Sequence, residues 1–119
     1  MDVKQRFLDY ISFDTQSEEE REEVPSTKKQ FALAKHLVEE LNQMGASDVT
    51  LTEHCYIYAT IPATVSEEKK LPVLGFIAHM DTSPALSGAN VSPKIIEQYD
   101  GTEIVLNESL NIKLSPKEF

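Results

Sequence analysis

Two stretches of the chain repeat apolar residues at the three- and four-residue spacing of an amphipathic helix. The first stretch predicts a helix over residues 2 to about 12, with Asp2 as a candidate N-cap. The second predicts a helix from roughly Lys28 to Met44, at whose start Thr27 and Gln30 have the spacing of a capping box. We therefore expect two helices in the first part of the chain.

The patterns that follow are typical of strands. Val49 to Leu51 and Tyr56 to Ile61 predict two strands that pair with each other. Leu71 to Ala78 is apolar almost throughout, which predicts a strand buried on both faces of a sheet. Pro93 to Tyr99 allows either a short helix or a strand, of which the strand is favoured, and a further strand is expected at Glu103 to Leu106. Together these elements predict an α/β fold with two N-terminal helices and a mixed, mostly parallel sheet.

Composition narrows the class of protein. With 119 residues, 40% of them hydrophobic, the chain has material for one domain with a modest core. Eleven Lys and Arg against 20 Asp and Glu leave a net charge of −9, so nucleic acid and anionic membranes are not expected partners. No signal peptide or membrane-spanning run is evident, and Cys55 is the single cysteine. These features predict a cytoplasmic protein.

Candidate chemistry lies where the predicted buried strand ends. His79 and Asp81 follow that strand, and the carboxyl ends of such strands are where open α/β sheets place their sites. Residues two apart in an extended chain point to the same side. The pair therefore fits a metal-binding His whose other ring nitrogen is held by a carboxylate. Two alternatives stay open: a surface pair without function, and an Asp81 that accepts hydrogen bonds from the following turn.

The remaining histidines and the cysteine are weaker candidates. His36 lies opposite the apolar stripe of the second predicted helix, which predicts exposure to solvent. His54 and Cys55 are adjacent, so on a strand they point to opposite faces and could not share one metal ion. No nearby pattern supplies a base that would activate Cys55 as a nucleophile.

The turn after His79 allows a rival interpretation. Asp81-Thr82-Ser83 resembles the Asp-Thr-Gly turn of aspartic proteases, in which two carboxylates share a proton. Two predicted helices argue against that almost all-β fold, and Ser83 replaces the glycine of the turn.

Two motifs, Asp14-Thr15-Gln16-Ser17 and Asp81-Thr82-Ser83-Pro84, resemble those of the M20 family of dizinc peptidases, and among them its tripeptide aminopeptidases. The resemblance extends over nearly the whole chain. It implies that His79 is a zinc ligand and that Asp81 is a catalytic residue, the neighbouring acid that orients His79 and raises its basicity without binding the metal. Tripeptides would be the substrates and zinc the cofactor, with two ions in each full-length subunit.

The same resemblance implies that residues 1–119 form the N-terminal part of an M20-type catalytic domain. The other ligands, the general base and the lid or dimerisation domain would lie further along a longer chain. These 119 residues alone would then be inactive, bind zinc weakly at most, and associate with themselves through uncovered strands. Other M20 hydrolases, such as a dipeptidase or a deacylase, and a non-catalytic α/β interaction domain remain alternatives.

Overall fold

The structure, a computed structural model, describes residues 2–66 and 69–118. Within these residues the chain forms two helices and four short strands. In chain order they are α1 Val3–Tyr10, α2 Gln30–Gln43, β1 Ser47–Leu51, β2 Ile57–Thr60, β3 Ile104–Asn107 and β4 Ile112–Leu114.

Both predicted helices are present, and the start of the first is the one expected. The Asp2 side chain accepts a hydrogen bond from the backbone N–H of Gln5 at 2.7 Å, which satisfies a free donor of α1. Helix α2 begins at Gln30, later than predicted, and its N-cap Lys29 makes no capping hydrogen bond through its side chain. The predicted capping box is wrong, because the Gln30 backbone N–H donates to the Thr27 carbonyl, at 3.4 Å, and not to the Thr27 hydroxyl. The hydroxyl accepts from the Gln30 side-chain amide at 3.1 Å and donates to the distant Gln16 carbonyl at 2.7 Å.

The strands form two separate sheets, each of two antiparallel strands. Strand β1 pairs with β2, as predicted, with Leu51 opposite Ile57. Strand β3 confirms the strand predicted at Glu103 to Leu106. It pairs with β4, a strand that the sequence pattern did not predict, with Ile104 opposite Leu114. The chain is therefore α/β, but the expected mixed, mostly parallel sheet is wrong: both sheets in the described part of the chain are antiparallel. Each pair is joined by a short connection, and only antiparallel strands can be joined that way.

The predicted strand from Leu71 to Ala78 is also wrong in this structure. The segment has no strand pairing, and the side chains of Phe76 and Ile77 are 93% and 101% exposed. A strand buried on both faces needs neighbours on each side and a layer above and below. None of the described residues supplies them. The strand expected at Pro93 to Tyr99 is likewise absent, and residues 97 and 98 form a turn.

The packed part of the molecule is small and centres on α2. Leu33 and Ala34 on α2 are buried, together with Cys55 after β1. Buried positions on this helix also include Gln30, so the buried face follows the three- and four-residue spacing.

Helix α1 is attached to α2 through polar contacts. Arg6 Nε lies 2.6 Å from Glu40 Oε1, and the Tyr10 hydroxyl donates to the other oxygen of the same carboxylate. His36, predicted to be exposed, is instead partly buried, because its ring packs 6.0 Å from the Tyr10 ring and 5.3 Å from the Phe13 ring. The aromatic residues at the end of α1 cover the helix face that the sequence pattern assigned to solvent.

Candidate functional site

The two motifs of the family resemblance are in contact: the first motif is Asp14–Ser17 and the second is Asp81–Pro84. Gln16 and Thr82 form an isolated parallel β-bridge. The Ser17 N–H donates to the Thr82 carbonyl at 2.9 Å, and the Thr82 N–H donates to the Thr15 carbonyl at 3.2 Å. These hydrogen bonds join segments 65 residues apart along the chain. The backbone of the first motif therefore pairs with Thr82, the residue that directly follows Asp81.

Side chains of the first motif extend this contact. The Gln16 side-chain amide donates to the Pro84 carbonyl at 3.1 Å and to the Leu86 carbonyl at 3.0 Å. The Ser17 hydroxyl donates to the Thr82 carbonyl at 3.0 Å. The turn that follows Asp81 is thus held at several points by two polar residues.

The start of α2 holds the first motif from the other side. Lys29 Nζ lies 2.8 and 2.9 Å from the two carboxylate oxygens of Asp14, and 3.4 Å from Gln16 Oε1. The Lys29 ammonium holds the pKa of the Asp14 carboxyl below its ordinary value, and the Gln16 backbone N–H acts in the same direction. Asp14 is therefore ionised at neutral pH and keeps its partner.

His79 and Asp81 contact each other in the arrangement that the two-residue spacing suggests. His79 Nδ1 lies 3.1 Å from Asp81 Oδ1, and the two side chains are 83% and 41% exposed. Within the described part of the chain, the Asp81 carboxylate accepts no backbone N–H of the turn. The Ser83 hydroxyl takes that role, accepting the Ala85 N–H at 3.2 Å. Because the contact uses Nδ1, the ring nitrogen left for a ligand is Nε2.

The described residues fit one ligand of a metal site rather than a whole site. No group of three or more His, Cys, Asp or Glu is close enough to hold a metal ion among residues 2–66 and 69–118. His79 with its carboxylate partner matches the usual environment of a single zinc-binding imidazole. A catalytic zinc needs three protein ligands and an open position.

Cys55 and His54, the other candidates from the sequence, do not form a comparable pair. Cys55 is buried, with a left-handed backbone φ of 64°, and burial raises the pKa of its thiol. The adjacent His54 is exposed, with its Nδ1 3.4 Å from the Val24 carbonyl oxygen. A thiol whose pKa is raised is a poor nucleophile.

An open cleft of about 340 Å³ lies beside the paired motifs, and its rim is acidic. It is lined by residues 16–20 together with Thr27, Lys29 and Pro84. Gln16 belongs to the Asp14–Ser17 motif, but the sequence pattern predicts no role for Gln16 or for Lys29. The motif is the one sequence signal for Gln16, and Lys29 has none, because the partners of both residues are far away in sequence.

None of the helices in the described residues combines the length and the apolar character required to cross a membrane.

An imidazole held by a carboxylate, following an apolar segment of an α/β chain, is typical of a ligand position in metal-dependent hydrolases. Comparison with known proteins is more specific, although no family model matches the chain. Peptidase T of Alkaliphilus oremlandii is 54% identical over 115 residues, which are 97% of this chain and 28% of that protein. Peptidase T of Clostridium acetobutylicum is 53% identical over 118 residues, 99% of this chain and 28% of that protein.

Peptidase T of Bacillus licheniformis is similar to the same degree, at 53% identity over 115 residues, 97% of this chain and 28% of that protein. The chain thus spans a little over a quarter of the length of the curated relatives it matches. The resemblance predicted from the two motifs is confirmed as a similarity to peptidase T along almost the whole chain.

Proposed function

We propose that this chain is part of the catalytic domain of a zinc-dependent aminopeptidase that releases the N-terminal residue from tripeptides. The observation that carries the proposal is the pairing of the two motifs, which aligns the His79–Asp81 pair in a chain that is 53–54% identical to peptidase T. The single cysteine supports a cytoplasmic enzyme.

In this proposal residues 1–119 are the N-terminal part of the domain, and further ligands lie elsewhere in a longer protein. Two observations support it. The relatives are several times longer than the part matched here, since the matched residues make up 28% of their length. The apolar segment Leu71 to Ala78 is exposed in this structure, although its composition is that of a strand covered on both faces.

Each residue of the pair has a distinct role. His79 would bind zinc through Nε2, while the Asp81 carboxylate would accept a hydrogen bond from Nδ1–H, fix the tautomer and raise the basicity of the imidazole. Zinc, when bound, supplies Lewis acidity toward the peptide carbonyl and lowers the pKa of a bound water. Asp81 therefore acts on the reaction through His79 and does not coordinate the metal.

The 119 residues alone would bind zinc weakly and cleave no peptide. One imidazole offers neither a chelate ring nor the negative charge that usually accompanies a bound zinc pair. The full-length subunit would bind two zinc ions with ligands that are not in this chain.

The test is a comparison of His79→Ala with Asp81→Asn in the full-length enzyme, with zinc analysis beside tripeptide kinetics. His79→Ala should lower both the zinc content and the turnover, because it deletes a ligand. Asp81→Asn should keep most of the metal and lower affinity or activity by about 10 to 100-fold, because an amide is a weaker acceptor for Nδ1–H.

Matched controls are His54→Ala and Asp48→Asn, two exposed positions that contact neither residue of the pair. Both should behave as the unmodified enzyme. Full zinc occupancy with normal turnover in His79→Ala would refute the ligand assignment. Cleavage of dipeptides or acylated amino acids in place of tripeptides would indicate another M20 hydrolase, and activity that resists chelation would refute the metal-dependent reaction.

A further inference from the structure

We propose that Gln16 is a positioning residue for the His79–Asp81 pair, a role that rests on the function proposed above. Its side-chain amide carries two N–H donors, and both are used on one turn, at the Pro84 and Leu86 carbonyls. The turn begins directly after Asp81. Gln16 therefore limits where the carboxylate that holds His79 can lie.

Gln16 can do this because it is itself held firmly. The Thr27 hydroxyl donates to the Gln16 carbonyl at 2.7 Å, and Lys29 Nζ lies 3.4 Å from Gln16 Oε1. Both partners precede α2, whose residues Leu33 and Ala34 form most of the buried core. Gln16 thus links the best-packed part of the described chain to the turn after the candidate ligand.

The segment on the other side of the pair offers no comparable support. Residues 71–79 are exposed, and the described residues give them no strand partner. The position of His79 is therefore determined from the Asp81 side, through the Thr82 backbone hydrogen bonds and the Gln16 amide. A displacement of about 1 Å in such a pair can lower turnover by about 100-fold.

The variant that isolates this role is Gln16→Glu in the full-length enzyme. It keeps the size of the side chain and the contact with Lys29, but replaces the two-donor amide with a carboxylate oxygen facing two carbonyl oxygens. The matched control is Gln43→Glu, the same change at an exposed position at the end of α2.

We expect Gln16→Glu to lower kcat by about 10 to 100-fold, with KM changed much less, while Gln43→Glu matches the unmodified enzyme. The visible spectrum of the cobalt-substituted enzyme should change in Gln16→Glu only. The ring-nitrogen chemical shifts of His79 should move as well, and these report the Nδ1 contact whether or not the protein is active.

A purely structural role would lower the unfolding midpoint of Gln16→Glu without changing kcat per folded molecule, the cobalt spectrum or the His79 shifts. That result would overturn the inference. An unmodified full-length protein with no metal-dependent cleavage of tripeptides would overturn the proposed function instead. In that case the His79 shifts still decide whether Gln16 positions the pair, since unchanged shifts contradict it.

Discussion

Replacing Gly88 by Ala tests how closely the turn after Asp81 packs against the first motif. A Cβ added at Gly88 would lie 3.1 Å from Asp14 Oδ1 and 3.1 Å from Thr82 Oγ1. Asp14 Oδ1 is held by Lys29 and by the Gln16 backbone N–H, and the β-bridge fixes the Thr82 backbone that carries Oγ1. Overpacking of this kind costs about 1–3 kcal/mol, against a gain of about 0.4–1 kcal/mol from the stiffer unfolded chain.

The difference between these terms leaves a net loss, so we expect Gly88→Ala to lower the free energy of unfolding by up to about 2.6 kcal/mol. The measurement is urea unfolding of the 119-residue chain, followed by circular dichroism. The matched control is Gly75→Ala, where an added Cβ meets nothing within 4 Å. That change should leave stability unaltered or raise it by about 0.4–1 kcal/mol. Equal stability of the two variants would refute the close packing at Gly88.

Two further predictions concern α1 and the exposed apolar segment. Burial is the largest cause, and the hydrogen bond to Glu40 the next, of a rise in the pKa of Tyr10 from an ordinary 10.0 to about 12. The neutral Tyr10 hydroxyl should therefore stabilise the fold fully below pH 10.0, and this stabilisation should be lost as the pH rises to about 12. Tyrosinate absorbance should show one of the four tyrosines titrating last, Tyr10→Phe should remove that step, and a single shared transition would contradict the burial. We also expect the chain to associate with itself through residues 71–78, because exposed apolar segments invite pairing. In sedimentation equilibrium, Ile77→Lys should lower the weight-average molar mass and Ile61→Lys should not. A monomeric unmodified chain at high concentration would contradict this prediction.

Local patterns determined the elements whose stability comes from nearby residues. Helix α1 and its Asp2 cap follow from a few consecutive positions, because the capping partner Gln5 is in the first turn. The same is true of the body of α2 and of the pairing of β1 with β2, whose apolar and β-branched residues flank a short connection. The contact between His79 and Asp81 could also be predicted from the sequence, since side chains two residues apart in an extended segment point to the same side.

Tertiary structure decided what depends on distant partners. The Thr27 hydroxyl accepts from the Gln30 side-chain amide, not from the Gln30 backbone N–H, and donates to the Gln16 carbonyl. His36 is covered by aromatic side chains from the end of α1 and the residues that follow it. Leu71 to Ala78 has the composition of a buried strand, yet composition cannot supply the neighbours that make one. The pairing of Gln16 with Thr82 joins residues far apart in sequence, so no local periodicity could predict it. The two motifs are brought together by the backbone bridge at Thr82 and by the Gln16 side-chain hydrogen bonds, which form only when distant segments of the chain fold against each other.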